Sequence, residues 1–252
     1  MAETCNLLTL WRPDHKETPE ECARQALVLF AELAQIDPEF ATFQTTSRKH
    51  GKYVDTPVPM DVEGLARLFA KGVNRGEFDR KPIERLGYTL NATTQGKNCA
   101  WLAVNGGTSD TCYNSCLLRQ YGGEYYERVV NAPTQIQLFH AMVKAFSPQI
   151  GCTGLSDFQD AMVDLPNYLR TEFEVDWIMY FSRGWGTVPP LPAPVRIEPV
   201  GQAGTLVILT PEPASASNPE DVRLGRQVQA LLGKAGLLNL DRLRGGARPT
   251  RS

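Results

Sequence analysis

The spacing of apolar and polar residues along the chain predicts a sheet flanked by helices. Between residues 86 and 131, short apolar runs alternate with turns rich in glycine, asparagine and aspartate. These residues tolerate the positive φ of tight turns, and short strands joined by short turns favour an antiparallel meander. We therefore predict a four-stranded meander over residues 86–131, with its last two strands at 113–121 and 125–130.

Four other stretches repeat apolar residues every three or four positions, which is the spacing of an amphipathic helix. Capping residues support two of the predicted starts. Thr18-Pro19-Glu20-Glu21 fits a capping box with proline in the first turn, and Asn218-Pro219 has the same order of cap and proline. The predicted helices lie near residues 18–36, 61–72, 134–146 and 218–235.

Further strands are predicted outside the meander. Residues 7–11 form a short apolar strand, and residues near 175–210 contain a buried strand followed by a hairpin. Residues 40–59 are polar and irregular, so we expect a loop there. The basic cluster at its centre, residues 48–52, is either solvated or placed to contact phosphate.

Together these patterns predict an α+β fold, in which a mostly antiparallel central sheet is covered by helices. The sheet would combine the meander near 86–131 with the strands near 175–210. No linker forces a division, so we expect a single domain over residues 1–240. Residues 241–252 contain glycine, arginine, proline and serine with little to bury, and they predict a disordered basic tail.

Charge and hydropathy limit the classes of function. The formal net charge is −2, and it is −5 without the last twelve residues, which hold four arginines and one acid. This balance argues against direct binding of nucleic acid. No apolar run approaches the ~20 residues of a membrane helix, and no signal-peptide pattern begins the chain. We therefore predict a cytoplasmic protein with no membrane partner, in which the six cysteines are free thiols.

Catalytic and metal-binding motifs are scarce in the sequence. It has no Walker loop, no dinucleotide fingerprint after a strand and no nucleophile elbow. Cys112 and Cys116 are close in sequence, but no second pair or nearby histidine completes a zinc site, so no metal or cofactor is predicted. Cys152 follows His140 by twelve residues, which leaves a cysteine-dependent enzyme as an alternative. A histidine on the apolar face of a helix, where we place His140, is usually structural.

Several short motifs carry a family resemblance through their order and spacing. They are Leu10-Trp11, Leu33–Phe40, Gly72–Arg75, Leu86–Tyr88, Asn105–Gly107, Asn114-Ser115, Val175–Arg183, Leu191-Pro192, Gly204–Ile208 and Asn218–Glu220. Over about residues 7–238 the chain resembles the immunity protein 52 family of bacterial polymorphic toxin systems. Position 43 departs from that pattern, since phenylalanine stands where a tryptophan is expected.

The resemblance implies an immunity protein that binds and neutralises a cognate toxin by direct contact. Toxins paired with this family are often nucleases with a restriction-endonuclease-like fold, in some cases delivered by type VI secretion. A binding role also fits the absence of a catalytic set. A generic cytoplasmic adaptor is the alternative within the class of binding proteins.

One acidic segment is a candidate toxin-binding surface. Six acids and a single base lie between residues 157 and 176, and aromatic residues, which often anchor interfaces, are interspersed among them. Acids at three- and four-residue spacing share one helix face, where like charges destabilise the free helix. A solvated acidic face is the alternative interpretation. The candidate residues are Asp157, Phe158, Asp160, Asp164, Tyr168, Glu172, Glu174 and Asp176.

Overall fold

An antiparallel sheet runs through the protein and carries helices on both of its faces. The computed structural model describes residues 5–49, 51–95, 99–109, 114–163 and 172–243. Ten strands lie within these residues: β1 (Asn6–Arg12), β2 (Gln44–Lys49), β3 (Lys52–Pro57), β4 (Leu86–Thr93), β5 (Trp101–Thr108), β6 (Asn114–Gln120), β7 (Ile150–Leu155), β8 (Ile178–Ser182), β9 (Arg196–Val200) and β10 (Gly204–Ile208). The described helices are α1 (Pro19–Leu33), α2 (Val62–Lys71), α3 (Tyr126–Val129), α4 (Ala132–Phe146), α5 (Ser156–Met162) and α6 (Pro219–Lys234).

The strands form one sheet in the order β3-β2-β4-β5-β6-β1-β7-β8-β10-β9, with antiparallel neighbours throughout. Strand β1 therefore lies in the interior of the sheet, between β6 and β7. The predicted α+β class with a mostly antiparallel central sheet is confirmed.

The four predicted long helices are confirmed as α1, α2, α4 and α6, and their caps form as expected. Thr18 Oγ1 accepts a hydrogen bond from the Glu21 amide at 3.2 Å, and the Glu21 carboxylate accepts one from the Thr18 amide at 2.8 Å. Asn218 Oδ1 accepts from the Glu220 amide at 3.2 Å. Side-chain caps of this kind satisfy amides that have no partner within the helix. No described helix is both long enough and apolar enough to span a bilayer.

Different helices cover the two faces of the sheet, because side chains along a strand point alternately to one face and the other. On β1, Asn6 faces α4 and donates a hydrogen bond to Gln135 at 3.2 Å. Trp11 points to the opposite face, where its ring centroid lies 5.0 Å from that of Phe173. The Phe173 amide donates to the carbonyl of Leu238, just after α6, at 2.7 Å. Helices α1, α2 and α4 therefore share one face, and α6 lies on the other.

A buried polar cluster joins three strands to α4. Asn6 Nδ2 donates to Gln120 Oε1 at 2.6 Å and to Thr153 Oγ1 at 3.0 Å, and Gln135 Nε2 donates to Gln120 Oε1 at 3.0 Å. All four side chains are fully buried. A buried polar group is costly unless it is hydrogen-bonded, so this cluster favours one register of β1 against both of its neighbours. The four residues are far apart in the chain, so no local sequence pattern predicts this cluster.

The predicted fourth strand of the meander, residues 125–130, is wrong. The meander has three strands, β4 to β6, and residues 126–129 form the single helical turn α3. Tyrosine and valine favour strands only where strand neighbours are available. Here Val129 is fully buried, and its carbonyl accepts a hydrogen bond from Gln135 Nε2 at 2.8 Å. This contact couples the turn to α4 instead of to a strand.

The predicted loop at residues 40–59 is also wrong for most of its length, because β2 and β3 form a hairpin there. We call residues 44–57 the β2–β3 arm. Among the described residues, its pairing with β4 is confined to Gln44 opposite Thr93. Every residue of β3 is exposed, and Tyr53 is 78% exposed. A hairpin that buries neither face has no apolar alternation, so its sequence resembles that of a loop.

The first residues of the predicted tail are packed against the fold. The Arg242 guanidinium lies 4.3 Å from the ring centroid of Trp185, and Leu243 is buried. The rest of the predicted tail, residues 244–252, lies outside the described residues.

Candidate functional site

Helix α5 carries three of the predicted binding residues but presents one of them fully to solvent. Asp157 Oδ2 accepts hydrogen bonds from the Ser215 hydroxyl at 2.9 Å and the Ala216 amide at 3.2 Å, so this carboxylate holds the loop before α6. Phe158 is fully buried and anchors α5 in the core, where no partner can reach it. Asp160 is exposed. The predicted surface position of Phe158 is therefore wrong.

The predicted surface position of Asp176 is also wrong, because its carboxylate is buried against β7. A Cβ atom at Gly154 would lie 1.7 Å from Asp176 Oδ1, so the carboxylate occupies the space that this glycine leaves. Asp176 Oδ1 accepts a hydrogen bond from the Trp177 amide at 2.8 Å, and Oδ2 accepts one from the Gln159 side chain. The Cys152 thiol also donates a hydrogen bond to this carboxylate. Burial raises the pKa of Asp176 to about 6 although these hydrogen bonds favour the ionised form.

Of the remaining acids of the predicted surface, Glu172 lies beside basic residues. Glu172 is exposed and Glu174 is partly exposed. The shallow groove between Glu172 and α6 is also lined by Arg226 and Lys234, so its charge is mixed. Two further candidates, Asp164 and Tyr168, lie outside the described residues.

The alternative of a cysteine nucleophile requires a histidine beside Cys152, and His140 does not fill that role. Burial, and the neighbouring Asp176, raise the pKa of the Cys152 thiol well above its ordinary value, whereas a nucleophilic cysteine needs a lowered pKa. His140 is exposed instead of lying on the apolar face of α4. It lines a groove between α1 and α4, on the face of the sheet opposite Cys152. The sheet separates the two side chains.

Of the cysteine pair considered for metal binding, the described residues include only Cys116. Cys116 is buried in β6, where burial raises the pKa of its thiol, and Cys112 lies outside the described residues. Within the part of the chain that the structure describes, no three His, Cys, Asp or Glu side chains are grouped to hold a metal ion.

In the part of the sheet from β4 to β1, the described helices leave one face uncovered. Helices α1, α2 and α4 pack on the other face, while on this face Phe173, which is hydrogen-bonded just after α6, packs against Trp11. Alternate residues of four adjacent strands share this uncovered face, and we call them the open face: Leu7, Thr9, Trp11, Thr89, Asn91, Thr93, Trp101, Ala103, Asn105, Ser115, Leu117 and Arg119. All except Ala103 keep part of their surface exposed, and Arg119 alone is charged.

Arg119 lies between two aromatic rings on the open face. Its guanidinium carbon is 5.7 Å from the ring centroid of Trp101 and 5.8 Å from that of Tyr121, and Nη1 donates to the Tyr121 hydroxyl at 3.3 Å. Its Nε is buried and has no hydrogen-bond partner within the described part of the chain. Among the described residues, no carboxylate forms an ion pair with this guanidinium. The sequence shows the strands that carry these residues but not which face of the sheet the helices leave uncovered.

Comparisons with known proteins address the family and the fold. The chain matches the family model described as immunity protein 52 over residues 6–240. No curated protein matches it by sequence. Four chains of solved structures match, among them the Pseudomonas aeruginosa T6SS protein PA0821, with 13% sequence identity and a TM-score of 0.52. That match covers 95% of this chain and 84% of the other, and at this identity it shows a shared fold. Because the family match spans nearly the whole sequence, the chain belongs to the immunity protein 52 family.

Proposed function

We propose that this immunity protein neutralises its cognate toxin by binding it directly. The family match over residues 6–240 carries the proposal, because an immunity protein implies a toxin partner. A continuous sheet that includes strands from residue 6 to residue 208 supports the further proposal that residues 1–240 form one binding unit.

Inhibition by this protein would be stoichiometric, with no catalytic step. Burial beside Asp176 keeps the Cys152 thiol protonated, and the sheet separates that thiol from His140. Neutralisation by binding requires a complementary surface and no reactive group.

The toxin that fits best is a nuclease with a restriction-endonuclease-like fold. Toxins of this type are implied by the resemblance, and the charge of this chain is compatible with them. Excluding the last twelve residues, the chain has a formal charge of −5, and the surfaces with which nucleases bind nucleic acid are basic. Opposite charges increase the rate of association. Asp160 and Glu172 are exposed and can contribute to that attraction.

The proposed setting is type VI secretion, with binding in the cytoplasm. The structural relative PA0821 is described as a T6SS protein, and its fold is similar to that of this chain. A nuclease effector acts where nucleic acid is present, so its inhibitor has to meet it in the same compartment.

Co-expression with the toxin encoded beside the immunity gene tests this function. We expect the toxin alone to stop growth and degrade nucleic acid. Co-expression of this chain should restore growth and keep the nucleic acid intact. The purified proteins should elute together from a sizing column.

Each part of the proposal has its own contradicting result. Failure to protect by a folded, well-expressed chain would overturn the immunity function for this toxin. Toxicity without degradation of nucleic acid would overturn the nuclease assignment alone. Protection by far less chain than toxin, with no complex formed, would overturn stoichiometric binding.

A further inference from the structure

We propose that the open face is the surface that binds the toxin, with Arg119 receiving a carboxylate of the toxin. This inference rests on the proposed function, because it states where on the chain the toxin binds. The open face, and not the acidic segment around α5, would then be the main contact with the toxin. The exposed acids of that segment would increase the rate of association.

The composition of the open face is that of an interface centre and differs from that of an ordinary solvated surface. One of its twelve residues is charged, whereas about 25–35% of the residues on a well-solvated surface are charged. An antiparallel sheet with one face in water normally places polar side chains on that face. Beside six uncharged polar residues, the open face also carries Trp11 and Trp101 together with Leu7 and Leu117. Interface centres are depleted in charge and enriched in aromatic residues and arginine.

Arg119 shows what chemistry the partner has to bring. The guanidinium lies near the rings of Trp101 and Tyr121, and its buried Nε has no acceptor among the residues that the structure describes. Arg119 is partly exposed, so an incoming acceptor can reach its side chain. A carboxylate can accept from two guanidinium nitrogens at once, and such bonds are stronger than those to neutral acceptors. A toxin aspartate or glutamate, surrounded by apolar surface, therefore fits this position.

The size of the open face suits the centre of an interface. Four strands at ~4.8 Å spacing and five residues at ~3.4 Å per residue give roughly 19 Å by 17 Å, or about 300 Å². A standard interface buries about 800 Å² on each partner, so contacts around the centre are also required. The β2–β3 arm continues the same sheet beyond β4 and carries the exposed Tyr53. This arm is placed to supply part of the rim.

Two other occupants fit the open face less well. A nucleic acid would place many phosphates on it, but the face offers one cation, and the chain is acidic overall. A second copy packed by a two-fold axis at Arg119 itself would set this residue against its own counterpart. Like charges opposed in an interface are unfavourable.

The test measures binding of four variants to the toxin encoded beside the immunity gene, inactivated by substitution in its own active site. The variants are Arg119→Glu, Arg119→Lys, Trp101→Ala and the control Arg24→Glu. Arg24 is exposed on α1, on the opposite side of the sheet, so its reversal changes net charge equally without touching the open face. Surface plasmon resonance gives both rate constants, and circular dichroism with thermal melting establishes that each variant is folded.

We expect Arg119→Glu and Trp101→Ala to weaken binding at least a hundredfold, mainly through faster dissociation. Arg119→Lys should lose about tenfold, because lysine keeps the charge but not the two-pronged geometry. Arg24→Glu should stay within threefold of the native affinity. In the native complex, oxidative footprinting should show Trp101 protected from labelling, which tests the site without any variant.

Native affinity in the folded Arg119→Glu and Trp101→Ala variants, or unprotected Trp101 in the complex, would overturn this inference while leaving the proposed function intact. If the native chain fails to bind the toxin, the proposed function fails and this inference fails with it. A native dimer that Arg119→Glu dissociates without change in toxin binding would assign the face to a second copy. Tight binding of a labelled single-stranded oligonucleotide, lost in the same variant, would assign it to nucleic acid.

Discussion

Replacing Asp176 with asparagine should change how the stability of this protein depends on pH. The native carboxylate lies against Gly154 and is 3% exposed. Asparagine has nearly the same shape, and its carbonyl oxygen can still accept from the Trp177 amide. A half-turn of the Gln159 amide would present an oxygen to the new amide group. The substitution therefore removes an ionisable group with little change in packing.

The expected magnitude follows from the pKa in the folded and unfolded states. Burial raises the pKa of Asp176 from 3.8 to about 6. A difference of roughly two units, at about 1.4 kcal/mol each, corresponds to about 3 kcal/mol. Between pH 3.8 and about pH 6, the Asp176 carboxyl has lost its proton in the unfolded chain but keeps it in the folded chain. The free energy of unfolding therefore falls as the pH rises through this range. Relative to the native protein, Asp176→Asn should therefore gain up to about 3 kcal/mol between pH 4 and pH 7.

Urea unfolding at pH 4, 5, 6 and 7, followed by tryptophan fluorescence, measures this change in a reduced sample. The buried Trp177 is adjacent to Asp176 and reports on unfolding of the core. Asp160→Asn is the matched control, because it makes the same chemical change at an exposed site on the neighbouring α5.

The informative quantity is the difference in free energy of unfolding between variant and native protein at each pH. Other titrating groups affect both proteins and cancel in that difference. A difference that stays constant from pH 4 to pH 7 would show that burial does not raise the pKa of Asp176, and the reasoning above would be wrong.

Two other substitutions or deletions have definite expected outcomes. Deleting residues 244–252 should leave the melting temperature unchanged, whereas a deletion that also removes residues 241–243 should lower it by several degrees. The second deletion removes the stack of Arg242 on Trp185 and the buried side chain of Leu243. Burial of the leucine alone stabilises the fold by roughly 1.5–3 kcal/mol. Equal melting temperatures of the two deletion variants in differential scanning calorimetry would contradict this prediction. Asp160→Lys combined with Glu172→Lys should slow association with the toxin and reduce its dependence on salt, with little change in dissociation. Stopped-flow binding at two salt concentrations checks this, and unchanged association rates would show that these acids do not steer the toxin.

Local signals predicted the long helices correctly because those signals lie within the helices themselves. Thr18 and Glu21 are three residues apart, and the apolar stripe of α1 repeats over successive turns. Such information is available from any short window of sequence, whatever the rest of the chain does. The class of the fold followed from the same kind of local information.

Predictions that depended on distant parts of the chain were less successful. The acids between residues 157 and 176 look alike in sequence, yet Asp176 is buried because Gly154 on β7 leaves space for it. Asp157 holds a loop near residue 215. The open face has no sequence signal of its own, because alternation along β5 and β6 shows two faces but not which one the helices cover. Contacts between distant residues decide all three outcomes.

The position of β1 in the sheet affects how the protein is made. Among the described residues, β1 alone joins the strands at 44–120 to those at 150–208. During translation β1 emerges early, but β7 follows after roughly 7–28 s at the usual ~5–20 residues per second. Throughout that time one edge of β1 lacks its final neighbour. A chain lacking residues 5–16 should leave the two halves unjoined, and a separately expressed peptide of these residues could restore them. Protection from the toxin would then occur only in cells that make both pieces, which would turn the immunity protein into a two-input genetic switch.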